Sequence, residues 1–392
     1  MQPRPRSYDA DAATARLKVT KATLYAYVSR GLIASVADAA DPRRRLYRAE
    51  DVERLAAKKA MGRRPERIAA ATLDFGLPVL PSRITLIAEG RLFYRGRDAA
   101  ALAESASFED AARLLWDCGD IDPFADPAAA PAPGLSRPLA PAPIPRMVAA
   151  LAHLDPGGGA IWQREPHRLW PGAARLLRHL AAAAAARAPS ADAVHIQLAR
   201  AGGLDGRGAD LIRRALVLCA DHELNASAFA ARVVASTGAS LAAAVMGGLA
   251  ALSGPRHGGA TERVEALFDE LRAAGDMRRA VAERLARGEA APGFGHPLYP
   301  DGDPRAHVLL SALPEEKRRQ DLIEAMDRLG GARPNIDFAL VALRRALGLP
   351  RGAAVALFAV ARAAGWIAHA LEQRGEGRLI RPRAHYVGTP PM

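Results

Sequence analysis

The spacing of hydrophobic positions is helical along most of the chain. After residue 146, nearly every segment places apolar side chains three and four positions apart and is punctuated by Gly or Pro. A short alternating pattern, typical of strands, follows Arg83. We therefore predict that the main body is all-α. Residues 122–146 are rich in Pro and Ala, and we expect an extended surface connector there, without a core of its own.

Local signals mark individual helices within this body. Ser107 followed by Asp110 is a helix start of the capping-box type. Within residues 219–264, a run of Ala, Ser and Gly predicts one long helix that ends at Gly254-Pro255.

The first 65 residues have a different pattern. A short helix is followed by a second one, with Thr20 as its N-cap and Gly31 at its C-terminal stop. A proline turn and a basic tip then lead to a short strand around Leu46 and a third helix near Glu50. This order of elements predicts a small winged helix-turn-helix domain.

The same segment resembles the DNA-binding domain of the MerR and excisionase families. The matching parts are "ATLYAYVSRGLI", an Arg-rich wing and "YRAEDV". The resemblance implies that the second helix enters the major groove and that the wing contacts phosphates or the minor groove. The implied nucleic-acid-binding residues are Lys21, Thr23, Tyr25, Arg30, Arg43, Arg44 and Arg45. The alternative is a structural or regulatory docking domain whose basic side chains are solvated.

Basic residues are concentrated in this part of the chain. The formal net charge is +12. Residues 1–67 contain 16 Lys and Arg against 8 Asp and Glu, whereas the other 325 residues contain 38 against 34. The N-terminal region therefore has a net charge of +8, and this asymmetry favours a polyanionic partner.

The sequence predicts neither a membrane protein nor a secreted one. The apolar segment at residues 353–371 contains Arg362 and His369, so we expect a buried core helix and not a membrane span. Residues 1–13 lack the apolar stretch of a signal peptide. The two cysteines indicate no disulfide framework, metal site or redox pair. We therefore expect a reduced, cytoplasmic protein without a bound metal.

Three ionisable residues lie at irregular joints of the predicted helical body. His257 lies just before a predicted helix, whose N-terminus would lower its pKa and keep it neutral. His296 lies in the segment 293–305, which is too rich in Pro and Gly for a helix or a central strand. Asp337 follows Asn335 in the first turn of a helix. Each position has a structural explanation by itself, but together they predict acid–base chemistry.

Five segments resemble, in order, the signature blocks of the citrate synthase family. They are "DHELNASAFAARVVAS", "SGPRHGGATE", "GFGHPLYPDGDPRA", "PNIDFAL" and "ARAAGWIAHALEQ…IRPRAHYVG". "LFYRGRDAAALAESASFEDAARLLWDCG" resembles the N-terminal block of that family. The resemblance spans about residues 83–388. It implies a large helical domain (66–258 and 346–392) and a small one (259–345), preceded by the winged helix-turn-helix domain (1–65).

The resemblance also implies an enzyme, an acyltransferase of the citrate synthase type. It would condense acetyl-CoA with oxaloacetate and water to give citrate and CoA, with no cofactor beyond this acyl-CoA co-substrate. Asp337 would remove a proton from the acetyl methyl group, and His257 would stabilise the enol or enolate. His296 would polarise the oxaloacetate carbonyl.

Oxaloacetate is a dicarboxylate, and the resemblance implies which residues bind it. They are His222, Arg305, Arg362 and, in a homodimer, Arg381 of the partner subunit. The planar fork of arginine suits a carboxylate. Arg362 in an apolar helix also needs a buried anion, which a bound carboxylate would supply. The chain departs from many bacterial members at Pro297, where they have arginine.

Two alternatives remain open. A 2-methylcitrate synthase would use propionyl-CoA, and one methylene changes binding by only about 1–3 kcal/mol. A DNA-binding regulator would use the helical body as a sensor of oxaloacetate or CoA, and a homodimer would present two DNA-binding domains to a two-fold site.

Overall fold

The computed structural model describes residues 7–38, 41, 44–60, 79–126, 140, 142–154, 165–272, 274–384 and 386–389. The chain divides into two compact units. One consists of Met1–Pro81 and Ala384–Met392, and the other of Ser82–Arg383.

The first unit is a winged helix-turn-helix. Its elements are β1 (Ser7–Tyr8), α1 (Ala10–Leu17), α2 (Lys21–Ser29), β2 (Ser35–Ala37), β3 (Arg45–Arg48) and α3 (Ala49–Ala60). The strands pair antiparallel in the order β1-β3-β2. Thr20 caps α2 by accepting the N–H of Thr23, and Gly31 follows the helix with a φ of 69°. The predicted order of elements is confirmed.

One small core joins the helices and the sheet of this unit. Leu17, Leu24, Ile33, Tyr47 and Val52 are almost fully buried in a single cluster. Because the apolar faces of all three helices meet there, the polar face of α2 is left to solvent.

The second unit is almost entirely helical, which confirms the predicted fold class. A small antiparallel sheet, in the order β4-β5-β6, precedes the helices. The strands are β4 (Thr85–Ala88), β5 (Arg91–Tyr94) and β6 (Arg97–Asp98). The helices are α4 (Ala99–Ser105), α5 (Phe108–Trp116), α6 (Pro143–Leu154), α7 (Pro166–Ala185), α8 (Val194–Ala201), α9 (Gly206–Cys219), α10 (Ala226–Ser236), α11 (Leu241–Leu252), α12 (Ala260–Leu271), α13 (Met277–Ala286), α14 (Pro304–Ala312), α15 (Lys317–Gly330), α16 (Ile336–Ala346) and α17 (Ala353–Glu376). Ser107 and Asp110 form the predicted capping box at the start of α5.

Helix α17 is the central helix of this unit. It contacts α5, α7, α9, α10, α11 and α16. It is long and apolar enough to cross a membrane, but its apolar window is entirely buried within the protein. This agrees with the expected core helix.

The prediction of one long helix within residues 219–264 is wrong. The structure has two helices there, α10 and α11. Gly238, with a φ of 87°, lies between them, and Ser240 caps the second by accepting the N–H of Ala243. A left-handed residue cannot continue a right-handed helix, so the chain ends one helix and begins another.

The predicted connector at residues 122–146 is wrong at both of its described ends; residues 127–139 and 141 lie outside the described residues. Phe124 is buried and stacks on Trp116, with ring centroids 5.7 Å apart. Helix α6 already begins at Pro143. Proline fits the first turn of a helix because its missing N–H is not needed there.

Candidate active site

Backbone hydrogen bonds join two distant segments at the predicted catalytic residues. The N–H of Asn335 donates to Gly293 O and that of Gly295 to Arg333 O, both at 2.8 Å. The side-chain amide of Asn335 donates to Gly295 O at 3.0 Å. Both glycines have positive φ, 88° and 76°, a conformation that they adopt without strain. The segment that contains His296 is therefore held beside the N-terminus of α16.

Asp337 lies in the first turn of α16. Asn335 caps this helix by accepting the N–H groups of Asp337 at 3.0 Å and Phe338 at 3.4 Å. Oδ1 of Asp337 is inaccessible to solvent and has no hydrogen-bond partner among the described residues. Burial raises the pKa of Asp337 to about 7, although the charges of Arg305 and Arg362 oppose the shift. A carboxylate with an unused oxygen and a pKa near neutrality is suited to accept a proton.

His257 is held by a serine from another helix. Its Nε2 lies 2.8 Å from Oγ of Ser227, which also lies 2.7 Å from Oδ1 of Asn225. Burial lowers the pKa of His257 to about 4, and the charges of Arg362 and Arg305 act in the same direction. The imidazole is therefore neutral, as predicted, but burial is the largest cause, whereas the sequence analysis named a helix N-terminus.

His222, His296 and Tyr299 form an aromatic cluster. Their ring centroids are 5.2 Å apart between the two histidines, and 5.6 and 5.0 Å from Tyr299 to His222 and His296. The hydroxyl of Tyr299 lies 3.0 Å from Nε2 of His222, and Nδ1 of His296 accepts the N–H of Leu298 at 3.1 Å. Burial lowers the pKa of His296 to about 4 and that of His222 well below its ordinary value. A neutral His296 whose Nδ1 accepts a hydrogen bond has its proton on Nε2.

Arg305 is a buried cation beside this cluster. Its Nε and Nη2 donate to the two oxygens of Asp303 at 2.9 and 2.7 Å, and its guanidinium lies 5.4 Å from the ring centroid of Tyr299. Burial alone would lower the pKa of Arg305, but the carboxylate of Asp303 outweighs burial and raises it. The guanidinium is therefore charged and fixed in place.

Arg362 lies inside α17 and is 1% exposed. Its Nε donates to Cys219 O at 2.9 Å, and its guanidinium lies 4.8 Å from the ring centroid of Phe358. Its Nη2 is buried and makes no hydrogen bond within the described part of the chain. Burial lowers the pKa of Arg362, and the carboxylate of Asp221 opposes the shift. The buried anion that the sequence analysis expected from a ligand is thus supplied in part by Asp221.

Of the seven predicted site residues of the helical body, all but Arg381 lie together. The charge of Arg305, or of Arg305 and Arg362, acts on the pKa values of His222, His257, His296 and Asp337. Arg381 is exposed in the extended segment after α17 and makes no hydrogen bond or ion pair with the described residues of its own chain. Its role across a homodimer interface stays a prediction.

Three side chains that we did not single out from the sequence lie within hydrogen-bond distance of the side chains of predicted site residues. Ser227 contacts His257, Asp303 contacts Arg305, and Tyr299 contacts His222. Asp303 and Tyr299 lie in the same irregular loop as His296, and Ser227 lies in the block that contains His222. Proximity to a predicted residue along the chain is therefore a signal that could have identified all three.

The predicted DNA-contacting residues of α2 lie at the surface of the first unit. Nζ of Lys21 lies 2.7 Å from Oδ1 of Asp11. The hydroxyl of Thr23 is bonded to that of the N-cap threonine at 3.0 Å. Tyr25 is 53% exposed, and Arg30, at the end of the helix, is also exposed. These side chains form a polar surface with a projecting aromatic ring.

The wing places two more predicted cations at the surface. Nη2 of Arg44 lies 3.6 Å from Oδ2 of Asp9, and Nη1 of Arg45 donates to Oγ of Ser35 at 2.9 Å. Arg43 lies outside the described residues. Exposed ion pairs contribute about 0–1 kcal/mol, so a phosphate could replace Asp9 as the partner of Arg44 at little cost.

Two family models match the chain. The model described as "Citrate synthase, C-terminal domain" matches residues 75–383, and the model described as "MerR HTH family regulatory protein" matches residues 8–64. The second match confirms the resemblance of the N-terminal segment to MerR-type domains.

Curated relatives match about half of the chain. Over 192 residues it is 38% identical to citrate synthase 2 of Bacillus subtilis, a match that covers 46% of this chain and 51% of the relative. It is 40% identical to the citrate synthase of Haloferax volcanii over 46% of this chain and 50% of the relative. It is 37% identical to the 2-methylcitrate synthase of Shewanella oneidensis over 45% and 50%. The chain thus spans about half the length of the curated relatives it matches.

Solved structures match the fold over a longer range. The crystal structure of citrate synthase from Thermotoga maritima covers 81% of this chain and 95% of its own, with 27% identity and a TM-score of 0.63. A ternary complex of the Thermoplasma acidophilum citrate synthase with carboxymethyl coenzyme A and oxaloacetate covers the same shares, with 24% identity and a TM-score of 0.64. The latter likeness concerns the fold alone.

Proposed function

The chain belongs to the citrate synthase family, and from that premise we propose that it condenses acetyl-CoA with oxaloacetate and water to give citrate and CoA. The observation that supports this most strongly is the state of Asp337, whose Oδ1 is inaccessible to solvent and has no hydrogen-bond partner among the described residues, and whose pKa is raised to about 7. The charges of Arg305 and Arg362 act on this carboxyl. The reaction needs no cofactor beyond the acyl-CoA.

Asp337 would be the base that removes a proton from the methyl group of acetyl-CoA. Its pKa of about 7 makes it a stronger base than an exposed aspartate, and it is still largely ionised slightly above neutral pH. The enolate oxygen that develops would receive a hydrogen bond from His257. The hydroxyl of Ser227 donates to Oδ1 of Asn225 in the structure, and it would turn to donate to Nε2 of His257. The imidazole proton would then lie on Nδ1, from which the neutral ring can donate it.

Oxaloacetate would be bound by its carboxylates and polarised at its carbonyl. The Nε2–H of His296 would donate to the carbonyl oxygen and make the carbon electrophilic. Arg305 would bind a carboxylate, and so would Nη2 of Arg362, which makes no hydrogen bond to the part of the chain that the structure describes, with His222 beside them. We propose that Arg381 of the partner subunit completes the site in a homodimer. Attack of the enolate on the carbonyl carbon forms citryl-CoA, and water then releases CoA.

We also propose that a small domain, residues 259–345, closes on a large domain formed by residues 66–258 and 346–392. The proposed large domain supplies His222, His257 and Arg362, and the small one supplies His296, Arg305 and Asp337. Since both sides contribute groups, closure would complete the site and exclude water during condensation.

A second candidate activity is that of 2-methylcitrate synthase. One of the relatives named above is such an enzyme, and propionyl-CoA differs from acetyl-CoA by one methylene, worth about 1–3 kcal/mol. The ratio of kcat/KM for the two thioesters decides between the activities. A higher value for propionyl-CoA would make 2-methylcitrate the product.

We further propose that residues 8–64 bind DNA and that the protein is cytoplasmic. The MerR-type match and the net charge of +8 in residues 1–67 support this proposal. Phosphate contacts predict an affinity that falls steeply with salt concentration. Fluorescence anisotropy with labelled duplex DNA should show this dependence, and an affinity that does not change with salt would contradict it. A shift in DNA affinity on adding oxaloacetate or CoA would favour a metabolite-sensing regulator.

The proposed reaction is tested by following one carbon. With acetyl-CoA labelled with ¹³C at the methyl group, the label should appear in a methylene carbon of citrate. A folded protein that binds oxaloacetate but gives no labelled citrate, or labels another product, would overturn the proposal.

A further inference from the structure

Hydrogen bonds join the end of α9 and the loop after it to the central helix α17. Nε of Arg362 donates to Cys219 O at 2.9 Å. The backbone N–H of Gly365 donates to Ala220 O, also at 2.9 Å. These two residues of α17 are three positions apart and therefore lie on one face of the helix. The carbonyl groups of Cys219, the last residue of α9, and of Ala220 are thus both hydrogen-bonded to one face of α17.

Asp221, the next residue of the loop, continues this arrangement. Nε2 of His369 lies 3.4 Å from its Oδ1, which is an ion-pair distance but not a hydrogen bond, and neither atom has a hydrogen-bond partner among the described residues. The hydroxyl of Thr85 donates to Oδ2 of Asp221 at 2.6 Å. Asp221 and His369 are both 0% exposed. A Cβ at Gly365 would lie 2.2 Å from Oδ1 of Asp221, so this face of the helix admits the carboxylate only because residue 365 has no side chain. Asp221 and His369 are therefore enclosed and in close contact. Together with Thr85, they come from three separate parts of the chain.

His222 follows directly, and the backbone turns away from α17 after it. Glu223 has a φ of 55°, an uncommon conformation for a residue other than glycine. The ring of His222 reaches the hydroxyl of Tyr299 at 3.0 Å. The position of this ring relative to Arg362 is thus set by the contacts of residues 219–221 with α17.

We propose that Asp221 and His369 are positioning residues for the dicarboxylate-binding part of the site, and that their contact fixes His222 relative to Arg362. Neither residue would touch the ligand. The proposal rests on the proposed function for the identity of that ligand, oxaloacetate.

The electrostatics of the pair agree with this role. A buried carboxylate is costly unless hydrogen-bond donors or cations compensate it. Burial raises the pKa of Asp221, but His369, Arg362 and Thr85 together outweigh burial and hold the pKa below its ordinary value. The ionised carboxylate in turn is a counter-charge for Arg362. Loss of the imidazole would leave one oxygen of Asp221 without its neighbour, and the loop would then move to reach another donor.

The charge of Asp221 and its positioning role predict opposite effects on ligand affinity. If Asp221 acted on the ligand through its charge alone, removing that charge would strengthen the binding of a dianion. If it positions His222 and Arg362, removing the charge would weaken binding. Asp221→Asn therefore separates the two, and we expect an increase in the Kd of oxaloacetate.

The central test compares His369→Leu with His369→Gln in the full-length protein. Leucine removes the polar nitrogen, and we expect the Kd and KM of oxaloacetate to rise about tenfold, as for a buried charged group that loses a partner. The KM of acetyl-CoA should stay within about twofold, since the pair lies on the dicarboxylate side. Glutamine retains an N–H donor and should restore most of the affinity. Titration calorimetry for oxaloacetate and steady-state kinetics provide these values.

His195→Leu is the matched control. Nδ1 of His195 is also buried without a hydrogen-bond partner among the described residues, but the charged groups that act on its pKa are Arg213 and Asp210, outside the site. This variant should lower the melting temperature and leave the Kd of oxaloacetate unchanged. If His369→Leu behaves in the same way, or Asp221→Asn binds oxaloacetate more tightly, the proposal is wrong. If His369→Leu does not fold, Thr85→Val removes the hydroxyl that donates to Asp221 and should raise the Kd about threefold.

Failure of the proposed function can be told apart from failure of this inference. A wild-type protein that binds oxaloacetate without releasing CoA contradicts the activity, and the Kd comparison still applies. If wild-type protein binds no oxaloacetate, ligand-free crystals of wild type and His369→Leu decide. A displaced His222 ring in the variant would support the positioning role, and an unmoved ring would overturn it.

Discussion

The carboxylate of Asp303 binds the guanidinium of Arg305 through both oxygens, at 2.9 and 2.7 Å. The same carboxylate accepts the N–H of Ile336 at 3.0 Å, one residue before Asp337. One buried side chain therefore fixes both a proposed substrate-binding arginine and the helical turn that contains the proposed base. We therefore expect substrate binding and proton abstraction to depend on this shared contact.

Asp303→Asn should affect both steps at once. The amide keeps the shape of the side chain but removes the charge that balances Arg305. We expect the KM of oxaloacetate to rise and kcat to fall, each by about tenfold. Asp301→Asn, an exposed change two residues earlier, is the control. Kinetic constants equal to those of wild type in a folded Asp303→Asn protein would contradict the shared role.

Ser227→Ala should lower kcat more than it changes the KM of oxaloacetate. The variant removes the hydroxyl 2.8 Å from Nε2 of His257, and the imidazole ring then loses the hydrogen bond that orients it. We expect a fall in kcat of about ten- to a hundredfold, as for the loss of a group that orients a hydrogen-bond donor in the transition state. Ser253→Ala, at the exposed end of α11, should have no effect. An unchanged kcat for Ser227→Ala would show that Ser227 does not orient His257 for the reaction.

Asp337→Asn should stabilise the protein more at pH 8 than at pH 5. The folded pKa of about 7 exceeds the ordinary value of 3.8. The folded protein therefore keeps a proton that the unfolded chain releases, and wild type loses stability as the pH rises from about 4 to 7. Asparagine has no proton to lose, so the gain at pH 8 should be on the order of a few kcal/mol.

Urea denaturation at a fixed protein concentration measures the free energy of unfolding of wild type and Asp337→Asn at pH 5 and pH 8. His257 and His296, whose pKa values are lowered to about 4, have the opposite pH dependence, but both proteins contain them and the comparison cancels their effect. A stability difference that is the same at pH 5 and pH 8 would show that the pKa of Asp337 is not raised.

Mixed dimers test whether Arg381 acts across a subunit interface. Asp337→Asn and Arg381→Ala should each be inactive as homodimers. If Arg381 serves the partner's site, each mixed dimer has one complete site out of two. Refolding an equal mixture should therefore restore about a quarter of wild-type activity. Arg383→Ala, in the same exposed segment, is the control and should be active. No recovery in the mixture would place Arg381 in its own subunit's site, and an active Arg381→Ala homodimer would place it outside both.

Helix starts that depend on contacts within three residues were predictable from the sequence. Thr20, Ser107 and Asn335 each accept N–H groups from the first turn of the helix that follows. Such a cap requires a particular side chain at one position and little else, so the residue type indicates the structure.

The break between α10 and α11 was not predictable in the same way. Both helices are rich in Ala, and Arg232 is the one charged residue within them, so the pattern has too few polar positions for their phase to reveal an interruption. The left-handed conformation of Gly238 ends the first helix, but the same run contains other glycines that remain helical, such as Gly247 and Gly248.

Contacts between distant parts of the chain were also beyond the sequence pattern. His222 and Tyr299 are 77 residues apart, and Arg362 is 143 residues from the carbonyl of Cys219 that it binds. Which residues meet depends on how the helices pack around α17. The candidate residues could be selected because motifs of a known family contain them. Asp221 and His369 lie in the same motifs, but that they contact each other required the structure.

The most direct test of the account is the release of CoA from acetyl-CoA in the presence of oxaloacetate, measured with a thiol reagent for wild type and Asp337→Asn. The account predicts oxaloacetate-dependent release by wild type. It predicts no turnover by Asp337→Asn, although that variant still binds oxaloacetate. Release of CoA by Asp337→Asn at the wild-type rate, or no release by a folded wild-type protein with oxaloacetate bound, would contradict it.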